Sequence, residues 1–114
     1  MKVKKEKKMK INELIEKLKA NVVNLVDGNL ELSTGYCGDF LSFVMGKAPS
    51  GCAWFTVMNN INVCAVATLA EVGIIVICEG VKSTPELIEK VKLQGINLIE
   101  TEYDVFEAVK RYLE

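Results

Sequence analysis

The run Gly73-Ile-Ile-Val-Ile-Cys78 constrains this chain more than any other feature. A continuous aliphatic run of this length, without alternation, reads as a strand buried on both faces, the habit of parallel sheets. Its surroundings support that reading. Cys52–Val57 is a compact apolar strand, and the segment after Asn59 and Asn60 predicts a helix reaching about Glu71. Thr84 as N-cap with Pro85 at the first helical position predicts a second helix, ending at Gly95. Ile96–Glu100 reads as a strand, and the capping-box-like Thr101-Glu-Tyr-Asp104 opens a terminal helix with Val105, Phe106, Val109, Tyr112 and Leu113 as its apolar stripe. Strand, helix, strand, helix, strand, helix with short connections predicts βαβ crossovers and a parallel sheet. The fold class expected is a small three-layer α/β domain, with a mostly parallel central sheet flanked by helices.

The first half is less regular. Ile11, Leu14, Ile15 and Leu18 fall at i, i+3, i+4, i+7 and predict an amphipathic helix over Lys10–Ala20. Two β-rich stretches, Asn21–Val26 and Leu30–Ser33, flank Asp27-Gly28, a strong hairpin signal, so they are expected to pair antiparallel. The alternative is two edge pieces separated by a longer excursion. Asp39 is expected to cap a short helix over Phe40–Met45, with Gly46 as its stop.

Charge divides the chain into an arm and a body. Met1–Lys10 carries six lysines and one glutamate, which leaves eight basic and fourteen acidic residues in the remainder, a net of −6. Residues 1–9 are therefore read as a basic flexible arm and residues 10–114 as one domain, of the usual size for a single core. The acidic body argues against nucleic acid as a partner. No apolar run approaches the ~20 residues needed to span a bilayer, and the charged start lacks a secretory apolar region. A cytoplasmic protein without a membrane partner is the expectation.

Little in the sequence looks catalytic. There is no histidine, and Cys37, Cys52, Cys64 and Cys78 form no closely spaced pair, so reduced thiols are expected and no metal or other cofactor. Gly46-Lys47 ends like a phosphate loop, but Leu41 and Ala48 stand where that motif needs glycine and Ser or Thr. Gly35-Tyr-Cys-Gly38 has the spacing of a nucleic-acid clamp, yet Asp39 follows it and basic flanks are missing. Cys37 and Asp39 are the remaining catalytic candidates, with no base in sequence to activate the thiol.

Binding is better supported. Open α/β sheets take ligands beyond the carboxyl ends of their strands. The loops expected there carry Gly35 and Asp39, then Asn59, Asn60 and Asn62, then Glu79, Gly80 and Thr84. Caps account for Thr84 and Thr101, but three asparagines around one helix start exceed what a cap requires. Their backbone N–H groups suit an anion or a polar ligand edge. The predicted helix over Asn62–Glu71 is apolar almost all round, with only Thr68 polar between its two ends. Together with Phe40, Leu41, Phe43, Val44 and Met45 it predicts a patch covered by a second subunit, hence a homodimer.

Several ordered phrases resemble the DRTGG domain family, which is similar to the N-terminal domain of HPr kinase/phosphorylase. They are Gly35-Tyr-Cys-Gly-Asp-Phe-Leu-Ser-Phe-Val-Met-Gly-Lys-Ala48, Asn60-Ile-Asn-Val-Cys-Ala-Val-Ala67, Gly73-Ile-Ile-Val-Ile77 and Gly95-Ile-Asn-Leu-Ile-Glu-Thr101. The likeness covers roughly Ile11–Leu113. It implies a stand-alone α/β regulatory or adaptor module rather than an enzyme, dimeric, with a protein partner in a metabolic or redox complex. It also implies an adenine-nucleotide-type ligand as the alternative role. The chain departs from the family name: Asn59-Asn60 replaces Asp-Arg, and Cys78-Glu79-Gly80 replaces Thr-Gly-Gly. The missing arginine removes the obvious phosphate fork.

Overall fold

The computed structural model describes residues 8–114, so most of the expected basic arm lies outside the described residues. The elements follow in the order α1 (Ile11–Leu18), β1 (Asn21–Asn24), β2 (Gly35–Cys37), α2 (Leu41–Lys47), β3 (Ala53–Thr56), α3 (Asn62–Ala70), β4 (Ile74–Ile77), α4 (Pro85–Gln94), β5 (Leu98–Glu100) and α5 (Val105–Leu113). One five-stranded sheet runs β1-β5-β4-β3-β2. β2, β3, β4 and β5 are parallel neighbours, and β1 joins β5 antiparallel. The expected three-layer, mostly parallel α/β architecture is the observed one.

Strand alternation sends side chains to two cores. Trp54, Ile75, Ile77 and Leu98 point toward Val44 of α2, Val63, Cys64, Val66 and Ala67 of α3, and Leu87 and Val91 of α4. Ala53, Phe55, Ile74, Val76 and Ile99 point toward Ile11, Leu14 and Leu18 of α1 and Ala108 of α5. All three crossover helices therefore share one face, as crossovers of one hand do when strands advance in one direction. The residues of β3, β4 and β5 are buried on both faces, which is why Gly73–Cys78 reads as unbroken apolar sequence.

The hairpin expected at Asp27-Gly28 does not form. Asn21–Asn24 pairs with β5, while Glu31 makes only an isolated antiparallel bridge to Lys10. Buried Asn97 holds this excursion: its Oδ1 accepts from the Val26 N–H at 2.6 Å and its Nδ2 donates to the Gly73 carbonyl at 3.0 Å. A polar anchor distant in sequence outweighs the local turn signal.

Helix ends bring further corrections. Asp39 does not cap α2, whose N-cap is Phe40 without a side-chain bond. Gly46 lies inside α2 rather than ending it; the helix stops where Ala48, extended at φ −66° and ψ 126°, precedes Pro49. Asp104 caps α5 by accepting from the Glu107 N–H, while the Thr101 hydroxyl is buried and donates to the Leu18 carbonyl at 2.8 Å. The single apolar stripe expected on α5 is split: Val105, Val109 and Tyr112 pack on the core, but Phe106 and Leu113 are exposed. Thr84 and Gly95 bound α4 as expected. No helix among the described residues is long and apolar enough to cross a membrane.

Candidate functional site

At the carboxyl ends of the strands the loops are tied together by their own side chains. Asp39, just past β2, accepts through Oδ1 from the Thr56 hydroxyl at 2.7 Å and from the Val57 N–H at 2.9 Å. It latches the end of β2 to the end of β3. Asn59 Nδ2 donates to the Lys82 carbonyl at 2.7 Å, and the Asn59 carbonyl accepts from both the backbone N–H and the hydroxyl of Thr84. That pair of contacts joins the β3 and β4 loops.

The asparagine-rich start of α3 is satisfied internally. Asn60 Oδ1 accepts from the Asn62 N–H at 2.9 Å, and the N–H groups of Val63 and Cys64 turn back onto the carbonyls of Asn60 and Ile61. The expected free anion cradle is thus largely closed by Asn60 itself. Asn62 stays exposed at the rim.

Adjacent strands β4 and β5 send their chains to opposite faces, α4 to one and α5 to the other, and this is where a crevice is expected. The protein fills it. The Glu79 N–H donates to the Tyr103 carbonyl at 2.8 Å and the Gly80 N–H to the Thr101 carbonyl at 3.0 Å. Glu79 and Gly80 both have positive φ, 66° and 71°, and the Val81 N–H closes the turn on the Cys78 carbonyl. A Cβ at Gly80 would meet only the tip of the exposed, movable Glu102 carboxylate, so glycine is favoured there by its left-handed backbone rather than by space.

The structure thus brings together Asp39, Asn59, Asn60, Asn62, Glu79, Gly80 and Thr84. It leaves Gly35 apart. Gly35 opens β2 at the amino end of the sheet, opposite Ala53, where a Cβ would touch Phe55 and Tyr112.

Sequence reasoning missed Glu100. This carboxylate is buried, accepts from the Ser83 N–H at 2.7 Å and from Asn21 Nδ2 at 3.3 Å, and lies 4.0 Å from Lys82 Nζ. The available signal was a lone carboxylate closing an apolar strand. Lys82, which also approaches Glu102 at 3.8 Å, is the single basic residue in these loops, against Asp39, Glu79, Glu102 and Asp104 on the rim. The surface therefore favours neutral or cationic groups over bare phosphates. No group of three or more metal-ligating side chains converges among the described residues.

The thiols are poor nucleophiles here. Burial of its sulfur, then the Asp39 carboxylate, pushes the Cys37 thiol up, although the residue is exposed. Burial pushes Cys52 up to about 11 and Cys78 up to about 12, from an ordinary 9.0. Thiolate formation is thus easier in the unfolded chain. The resulting stability is complete below pH 9 and is lost as pH rises toward 11–12. Melting followed by circular dichroism is expected to show Tm falling steadily above pH 9, and less steeply in Cys78→Ala.

No protein-family model matches the chain, and no curated protein matches it. Among solved structures it is similar to the crystal structure of the CBS and DRTGG domains of the regulatory region of Clostridium perfringens pyrophosphatase, complexed with the activator diadenosine tetraphosphate. The TM-score is 0.70 at 17% identity, over 89% of this chain and 44% of that one. The fold is DRTGG-like. The chain spans less than half of that neighbour, and at this identity the DRTGG-like likeness is one of architecture.

Proposed function

We propose that this chain is a regulatory or adaptor module that acts by binding rather than catalysis, as a homodimer in the cytoplasm. Its binding surface is the loop cluster of Asp39, Asn59, Asn60, Asn62, Glu79, Gly80 and Thr84. The observation that carries this reading is the continuity of that internally braced polar rim with exposed apolar side chains. Phe40 follows Asp39 directly and Ile61 lies between Asn60 and Asn62; with Phe43, Met45 and Leu69 they are large, apolar and 45–67% exposed. Rigid polar loops beside uncovered aromatic and aliphatic groups suit a protein surface. The raised thiols and the engagement of Asp39 with Thr56 and Val57 speak against Cys37 and Asp39 as catalytic groups. The partner fits a subunit of a metabolic or redox complex that presents neutral or basic groups.

The regulatory neighbour's adenine-nucleotide activator supports a second reading, a nucleotide sensor at the same loops. Thermal-shift titration with ATP and diadenosine tetraphosphate separates the two. A ligand at 100 times its Kd adds about 2.7 kcal/mol, which moves Tm by roughly 10 °C at about 4 °C per kcal/mol. The adaptor reading expects no shift. A shift of that size, lost in Lys82→Ala, would replace it with the sensor reading.

A further inference from the structure

The open edge of β2 carries a self-complementary pairing surface. The Ala53 N–H donates to the Thr34 carbonyl, and the Gly38 N–H to the Phe55 carbonyl. With Tyr36 in register opposite Trp54, these bonds turn the backbone groups of Thr34, Tyr36 and Gly38 toward β3. Those of Gly35 and Cys37 point away from the sheet. Among the described residues β2 is the last strand on this side.

The two edges of the sheet differ. β1 is blunted by a register irregularity between Val22 and Asn24, a device that discourages further pairing. β2 has none: Gly35-Tyr36-Cys37 contains no bulge, proline or charge. Its flanks are also unfinished. On one face Phe40 and Phe43 of α2 stack edge-on at 4.7 Å while 61% and 54% exposed. On the other face Leu113 lines a groove of about 440 Å³ beside Ser33 and Thr34, and also an apolar groove of about 310 Å³ with Phe106 and Val109.

We infer that β2 pairs antiparallel with β2 of a second copy of this chain, about a two-fold axis at Tyr36. In that register Gly35 of each copy faces Cys37 of the other. Their outward N–H and C=O groups make four backbone bonds, and two five-stranded sheets become one of ten. No other centre uses all the outward groups of so short a strand. Taking roughly 200 Å² per aromatic side chain, exposed Phe40 and Phe43 contribute on the order of 200 Å² of apolar surface per copy. That is about a quarter of the roughly 800 Å² per partner of a standard interface, and the paired strands, Leu113 and the groove walls are left to supply the remainder. The inference rests on the homodimer reading above and assigns its interface.

The test is sedimentation equilibrium of the full chain beside Cys37→Pro, which removes an outward N–H but none of the bonds to β3. The expected result is a dimer at tens of micromolar, weakened about tenfold or more in Cys37→Pro with unchanged circular dichroism. A dimer indifferent to Cys37→Pro would overturn the β2 interface and leave the homodimer reading intact. A monomeric wild type would overturn both. Should Cys37→Pro fail to fold, hydrogen exchange of the wild type decides. Gly35 and Cys37 amides protected at high concentration and released on dilution support the interface. Amides unprotected throughout, or protected in a monomer whose edge is covered within one chain, overturn it.

Discussion

Trp54→Ala is expected to cost about 3–5 kcal/mol, the usual range for emptying a buried aromatic site. Trp54 is fully buried on β3, a central strand, against the core formed with α2, α3 and α4. Its Nε1–H donates to the Gly38 carbonyl at 2.8 Å. Truncation therefore leaves a cavity and also strips a partner from the turn that launches α2. A loss of this size is a large share of the 5–15 kcal/mol typical of a domain and lowers Tm by at least about 12 °C. Trp54→Phe keeps most of the ring and loses the N–H, so about 1–2 kcal/mol is expected from the hydrogen bond together with a small packing deficit. Because Trp54 is the sole tryptophan, urea unfolding of both variants is best followed by far-UV circular dichroism. A cost below about 1 kcal/mol for Trp54→Ala would mean that the site collapses and the central packing described above is wrong.

The second large effect is expected at Glu100. Its carboxylate joins three segments: β5, the start of α4 through the Ser83 N–H, and the edge strand β1 through Asn21. Glu100→Ala leaves Ser83 without its acceptor, and the Ser83 Oγ already lacks a partner among the described residues. An unsatisfied buried donor costs about 1–3 kcal/mol, and the lost apolar stem adds to this. About 2–4 kcal/mol is expected from urea unfolding. Glu100→Gln retains an acceptor and is expected to recover about half. Hydrogen exchange should localise the damage, with the Ser83 amide losing protection and the β3 amides keeping theirs. Equal loss everywhere would show that Glu100 supports the domain globally rather than locking these segments.

The legible parts of the fold were those set by unbroken local patterns. Gly73–Cys78, the Thr84-Pro85 start and the Gly95 stop announce their elements because burial on two faces and capping chemistry act within a few residues. The misread parts depend on distant partners. Asp27-Gly28 looks like a hairpin until Asn97 binds the Val26 N–H from 71 residues away. Asp39 looks like a helix cap until Thr56 and Val57 claim its carboxylate. At the candidate site, chain order was enough to gather the strand-to-helix loops, since crossover topology puts them at one end. It could not reveal that Asn60 satisfies the α3 start, or that the Gly80 N–H is taken by the Thr101 carbonyl. Gly35 was grouped with those loops because β2 was expected earlier in the chain, over Leu30–Ser33. Shifting the strand onto Gly35–Cys37 moves its first residue to the far end of the sheet.

The placement of β1 carries a kinetic consequence. β2 to β5 are each joined to a neighbour close in sequence, so they can zip up through short loop closures. β1 instead meets β5 across 79 residues at the Asn21–Glu100 pair, and Lys17 reaches the Glu114 carbonyl at 2.7 Å across 97. Closing loops of that length is entropically costly and slows folding. The pairing of β1 with β5 is thus the longest-range strand pairing in the sheet, whereas α1 also packs on Ala53, Phe55, Ile74 and Val76 of β3 and β4. A chain folding as it is synthesised can close that edge of the sheet only after its last strand has been made.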